Sequence, residues 1–274
     1  MKLAKIGLIG HSSVNNDQLN MGDDSAASLM QCIPRYQGRT VQKGFGGLTF
    51  SRRRQIDDLV NFAVNEDCSA IFFVIGDNDA DDAARTVGVN PTLAAQDLFS
   101  QSLSLGFQIV NTFPIMHVFF SHIFPRVERG NSPGSQRFIP NSKYNQIALR
   151  YNQLAKEYTM KNYRSQVSYM ASTFCVKPEL FQIDVNRLGH PALDILSRDG
   201  VHPKYPVHHK THKKEEPFVS QDQYMSKHGA CIESERNMLR LNKYNDRDTY
   251  LGLLFKPLKK ALCCHQKRYK GILE

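Results

Sequence analysis

Ala70-Ile71-Phe72-Phe73-Val74-Ile75 is an unbroken apolar run, and Gly76-Asp77-Asn78-Asp79 follows it without a spacer. Six β-branched, aromatic and small apolar residues ended by a glycine predict a short strand rather than a helix. A strand with no polar alternation is covered on both faces, as strands inside parallel sheets are. The four residues after it then stand at its C-terminal end, where such sheets hold their ligands.

The same pattern recurs on either side. Ile6–Ile9 is a short apolar run that ends at Gly10-His11-Ser12, and Thr40–Gln42 is a second strand that ends at Gly44, Gly46 and Gly47. Ile115–Phe120 and Val167–Ala171 read as later strands, with Phe107–Val110 as a further candidate set apart by Pro114. Between them, Ser51–Val64 has helical spacing, with Ile56, Leu59, Val60 and Ala63 on one face. Arg52, Arg53 and Arg54 fall in its first turn, which opposes the helix dipole unless they face an acidic partner. Asp24–Ile33 and Tyr144–Tyr163 predict helices, and Pro91-Thr92 opens one that reaches about Leu105. Asp77–Asn90 and Glu128–Ser142 read as loops. Strands alternating with helices predict an α/β fold with a doubly wound parallel sheet.

The chain has 274 residues, enough for one α/β domain and an appendage. Its net charge of +9 is uneven. Residues 1–203 hold 20 Lys/Arg against 18 Asp/Glu, whereas residues 204–274 hold 15 against 8. The expected organisation is a nearly neutral domain at 1–204 and a basic, poorly ordered extension at 205–274. Such an extension can attract nucleic acid or an anionic membrane, and its simpler reading is a solvated tail. No run is long enough to span a membrane, and Ile6–Ile9 is too short for a signal-peptide core, so a cytoplasmic protein is expected. The six cysteines are scattered and are expected as free thiols. Cys263-Cys264-His265 and the His208/His209/His212 cluster lack a full metal-ligand set.

Four blocks stand out in order: Gly10-His11-Ser12, Gly46-Gly47-Leu48-Thr49, Gly76-Asp77-Asn78-Asp79 and Asp199-Gly200-Val201-His202. Over roughly residues 4–203 they resemble the SGNH/GDSL hydrolase superfamily. Within it, the Gly-His-Ser, Gly-Gly-x-Thr and Gly-x-Asn-Asp combination is similar to a branch that includes esterase domains of LINE retrotransposon first-ORF proteins.

The resemblance implies a flavodoxin-like three-layer α/β/α fold with a parallel five-stranded sheet. It implies Ser12 as nucleophile, His202 as its base and Asp199 as the group that orients the imidazole. The oxyanion donors it implies are the Ser12 N–H, the Gly47 N–H and the Asn78 side-chain amide. Ser13 is a neighbour of the nucleophile, and His11 is a poor proton partner because adjacent side chains at a strand end point apart. The commoner residue at His11 is aspartate, which leaves the bracing of this turn open. No metal or cofactor is implied; Asp77, Asp79, Asp81 and Asp82 lack EF-hand spacing.

The expected function is a serine esterase acting on carboxylic esters, short-chain acyl esters among them, through an acyl-enzyme. Its expected partner is a small-molecule or lipid ester. The competing class is a weak or inactive hydrolase scaffold that binds nucleic acid or membranes through the basic tail, as in a retroelement-like ribonucleoprotein.

Overall fold

The structure is a computed structural model and describes residues 5–11, 14, 39–123, 142–170, 260–261 and 263–265. Five strands form one sheet: β1 (Ile6–Gly10), β2 (Thr40–Gly44), β3 (Ala70–Val74), β4 (His117–Ser121) and β5 (Val167–Met170). Their spatial order is β2-β1-β3-β4-β5, and every neighbouring pair is parallel. This is the flavodoxin-like order, in which the chain reverses direction across the sheet between β1 and β3. The crevice at the C-terminal ends of those two strands is where such sheets bind ligands.

β1, β3, β4 and β5 are buried along their whole length. Phe72, Phe73, Phe119 and Phe120 are all fully buried, each worth roughly 1.5–3 kcal/mol of apolar burial. One sheet face (Ile9, Ile71, Phe73, Val118, Phe120 and Val167) packs in a single core with the buried stripes of the flanking helices. Gly7 lies on that face, where an added Cβ would stand 3.0 Å from Ala63 Cβ, so the glycine admits the helix closely.

Among the described residues, four helices flank that face: α1 (Arg53–Asn65), α2 (Asp77–Arg85), α3 (Pro91–Thr112) and α4 (Lys143–Lys161). In α1 the buried residues are Ile56, Leu59, Val60 and Ala63, the stripe predicted from spacing. The opposite sheet face carries Leu8, Phe72 and Phe119, equally buried. His117 belongs to that second face, and its ring meets His265 edge-on with centroids 4.7 Å apart. Residues 260–261 and 263–265 are helical, and Ala261 and His265 are fully buried. Nε2 of His265 lies 2.7 Å from Ser69 Oγ, and its Nδ1 lies 2.9 Å from Nδ1 of His117. These residues of the segment expected as a basic extension are thus seated on the sheet; the rest of 205–274 lies outside the described residues, as does the helix expected at 24–33.

Two expectations are corrected. Asp77–Asn90 is not all loop, because Asp77–Arg85 forms α2. Asp77 and Asp79 lie in its first turn and Arg85 in its last, which suits the helix dipole, and Arg85 Nη2 donates to Asp81 Oδ2 at 2.6 Å. Phe107–Val110 is not a strand but part of the 22-residue α3. The buried positions Leu98, Ser102, Leu105 and Ile109 continue at helical spacing through it. Gly106 faces Val167 so closely that an added Cβ would lie 2.7 Å from it, so that turn of α3 rests directly on β5.

Candidate functional site

The ends of β1, β2 and β3, with the described residues that directly follow them, meet at the crevice beside the β1/β3 crossover. Gly10 ends β1, where a Cβ would run into the Val74 carbonyl of β3. The His11 N–H donates to Val74 O at 3.0 Å, and the Phe45 N–H donates to Gly10 O at 2.9 Å. The turn that leads to Ser12 is therefore tied to both neighbouring strands. Ser12 itself, and Asp199 and His202, lie outside the described residues.

His11 is buried, and its Nε2–H donates to Asp77 Oδ2 at 3.0 Å. Tyr144 of α4 donates its hydroxyl to Asp77 Oδ1 at 3.3 Å. Asp77 thereby joins the end of β1, the start of α2 and the start of α4. This pairing braces the Gly-His-Ser turn: a histidine at position 11 finds its hydrogen-bond partner in the third motif block, where position 77 is an aspartate. A buried carboxylate needs such partners, because desolvation without them is costly.

The second oxyanion element is held in the same way. Gly47 has φ +64, a left-handed conformation that favours glycine, and it turns the chain after β2. One N–H of the Asn78 side chain donates to Leu48 O at 3.0 Å. The Phe50 N–H donates to Asp79 Oδ1 at 2.9 Å. Two hydrogen bonds of alternating sense thus clamp the Gly47–Phe50 loop onto the first turn of α2. The Asn78 amide has a second N–H that bonds to no other described residue, so one donor fixes the loop and one remains.

Asp79 pays for its place in this clamp. Burial, opposed by the Phe50 N–H and assisted by the nearby Asp82 and Asp77 charges, pushes its carboxyl up to about 6. Its Oδ2 is buried with no hydrogen-bond partner among the described residues. Three of the four acidic residues considered for a cation turn to separate partners: Asp77 faces His11, Asp79 faces Phe50 N–H and Asp81 faces Arg85.

His122, immediately after β4, is a second histidine at this edge. Burial, with smaller contributions from Lys156 and Lys260, pushes its pKa down to about 3. It is neutral at any physiological pH and enclosed, which suits packing better than proton transfer.

Of the implied site residues, the structure describes Gly47 and Asn78 and brings them to the same loop cluster as the end of β1. The His11–Asp77–Tyr144 network and the role of Asp79 are additions that the separate motifs do not show. The one available signal was charge complementarity between a histidine in the first block and an aspartate at the variable position of the third.

No family model matches the chain, and no curated protein matches it. Solved structures do. The chain is similar to Axe2, an acetylxylan esterase from Geobacillus stearothermophilus, with 15% identity, a TM-score of 0.48, and 80% of this chain and 100% of that one covered. It is similar to a GDSL-like lipase from Parabacteroides merdae at 16% identity and a TM-score of 0.44, covering 83% and 98%. A G-D-S-L family lipolytic protein from Desulfitobacterium hafniense gives 13% and 0.41, covering 84% and 99%. These likenesses are of architecture and assign no residue of this chain. The narrower similarity to LINE first-ORF esterase domains is carried by the sequence blocks alone. Among the described residues, no helix is long and apolar enough to cross a membrane.

Proposed function

We propose that the chain is a serine esterase of the SGNH type that hydrolyses carboxylic esters in two steps. The supporting observation is the clamp that holds Gly47 and Asn78 together beside the end of β1, at the crevice where this sheet order binds ligands. In this reading Ser12 Oγ attacks the ester carbonyl while His202 takes its proton, with Asp199 orienting the imidazole. The oxyanion is held by the N–H groups of Ser12 and Gly47 and by the uncommitted N–H of Asn78. The leaving alcohol takes the proton from His202 and departs, leaving an acyl-Ser12 ester. Water, deprotonated by His202, then attacks that ester and releases the acid. Residues 1–204 carry all the groups that act on substrate, and the substrate is a small-molecule or lipid ester.

The test is labelling by a fluorophosphonate with peptide mapping, alongside turnover of 4-nitrophenyl esters of graded chain length. The expected result is label on Ser12 and loss of both label and turnover in Ser12→Ala, with Ser13→Ala unaffected. Label on Ser13 would move the nucleophile by one residue. No label and no turnover, together with salt-dependent RNA or vesicle binding, would favour the non-catalytic binding scaffold.

A further inference from the structure

Three consecutive arginines, Arg52, Arg53 and Arg54, open α1. They stand at the wrong end of the helix for cations, since the dipole is positive there. No acidic residue lies in the first turn of α1, and no side chain caps it. All three arginines are exposed. Arg53 has a local explanation, because its Nη1 donates to Gln108 Oε1 of α3 at 3.4 Å.

Arg52 has no such partner. Among the described residues its side chain makes no hydrogen bond and no ion pair. It folds back over the turn after β2 instead. Its Nη2 and Nη1 lie 3.7 and 3.9 Å from the point where a Cβ on Gly47 would stand. A guanidinium with no partner among the described residues therefore lies against the glycine whose N–H is the proposed oxyanion donor.

Two roles fit a cation there. It could stabilise the oxyanion of every ester alike, or it could pair with an anion carried by the substrate. Its exposure argues against the first, since water screens a charge that is not aimed into a closed site. Its shape argues for the second, because a guanidinium presents paired donors that match a carboxylate or phosphate.

We infer that Arg52 is a specificity-determining residue that selects esters bearing an anionic oxygen group, such as a carboxylate, close to the scissile bond. This rests on the esterase reading above. The unfavourable charge of Arg52 at the head of α1 is then a property of the substrate site rather than of the helix.

The test uses the full chain and two matched ester pairs. One pair is 4-nitrophenyl hydrogen succinate against 4-nitrophenyl butyrate, which places the anion on the acyl side. The other is 4-acetoxybenzoate against phenyl acetate, which places it on the alcohol side. Each rate is divided by that ester's own hydroxide-catalysed rate. The expected result is a preference in kcat/KM of about fivefold for the anionic member of at least one pair, the upper end for an exposed ion pair. The preference should reside mainly in KM, weaken with added salt, and fall to within about twofold in Arg52→Gln. Arg52→Lys should keep part of it, and Arg53→Gln all of it. Turnover of the neutral esters without anionic preference overturns the inference and leaves the esterase reading intact. An Arg52→Gln variant that slows neutral and anionic esters equally also overturns it. Absence of turnover of any ester would overturn both readings.

Discussion

Asp79→Asn tests whether the clamp on the Gly47 loop is held at a cost in stability. The carboxyl of Asp79 is raised from 3.8 to about 6, with burial the largest cause. A group whose folded pKa exceeds its unfolded value contributes stability that is fully present below the unfolded pKa. That contribution is lost as pH rises through the folded value, here between about 4 and 6. The full shift corresponds to a cost on the order of 3 kcal/mol at neutral pH.

Asparagine keeps an oxygen to accept the Phe50 N–H and removes the charge. Its amide nitrogen would take the place of the unpartnered Oδ2, a smaller penalty than a buried anion. The assay is urea unfolding of wild type and Asp79→Asn at pH 4.5 and pH 8, in which the titration of all other groups cancels in the difference. The stability of the variant relative to wild type should rise by about 2 kcal/mol between the two pH values, or about 4–8 °C in Tm. Asp79→Ala is the control: it leaves the Phe50 N–H without its acceptor and should lose roughly 1–3 kcal/mol on that account at either pH. A difference between Asp79→Asn and wild type that does not change with pH would refute the reasoning, because Asp79 would then ionise as an ordinary aspartate.

Two further outcomes are expected. Asn78→Ala should lower kcat about 10²–10³-fold with a smaller change in KM, since the donor acts on the transition state; a kcat within about threefold of wild type, measured on the best 4-nitrophenyl ester, would make Asn78 a loop anchor only. Ending the chain at Lys204 removes Ala261 and His265 from the second sheet face and uncovers the ring of His117, so the shortened chain should melt well below the full one by circular dichroism; an unchanged melt would mean that the contact contributes nothing to the domain.

Most of the sheet was legible in the sequence because β1, β3, β4 and β5 are short runs with few polar residues, whereas β2, with Thr40, Gln42 and Lys43, was marked by the glycines that follow it. The helices α1 and α4 were legible because their buried residues recur at helical spacing. The two misread segments failed for opposite reasons. The aspartates and alanines of α2 offer no apolar period, and what makes them helical is the sign of their charges relative to the dipole, together with the Gly76 turn at φ +111. The second half of α3 offers an apolar run too short to separate strand from helix, and its helical state is fixed by packing, where Gly106 meets Val167 of β5.

The site divides along the same line. Single groups such as Gly47 and Asn78 could be named from their motif blocks, since each is a local requirement for a positive φ or an amide. What organises them is pairing between blocks: His11 with Asp77, Asn78 with Leu48 O, Asp79 with Phe50 N–H. The histidine at position 11 shows why such pairs escape a linear reading. Taken alone it is a departure from the commoner aspartate and leaves the bracing of the turn open. With Asp77 opposite, the same turn is braced by a buried hydrogen-bonded pair, and the departure becomes one half of a contact whose other half lies 66 residues away.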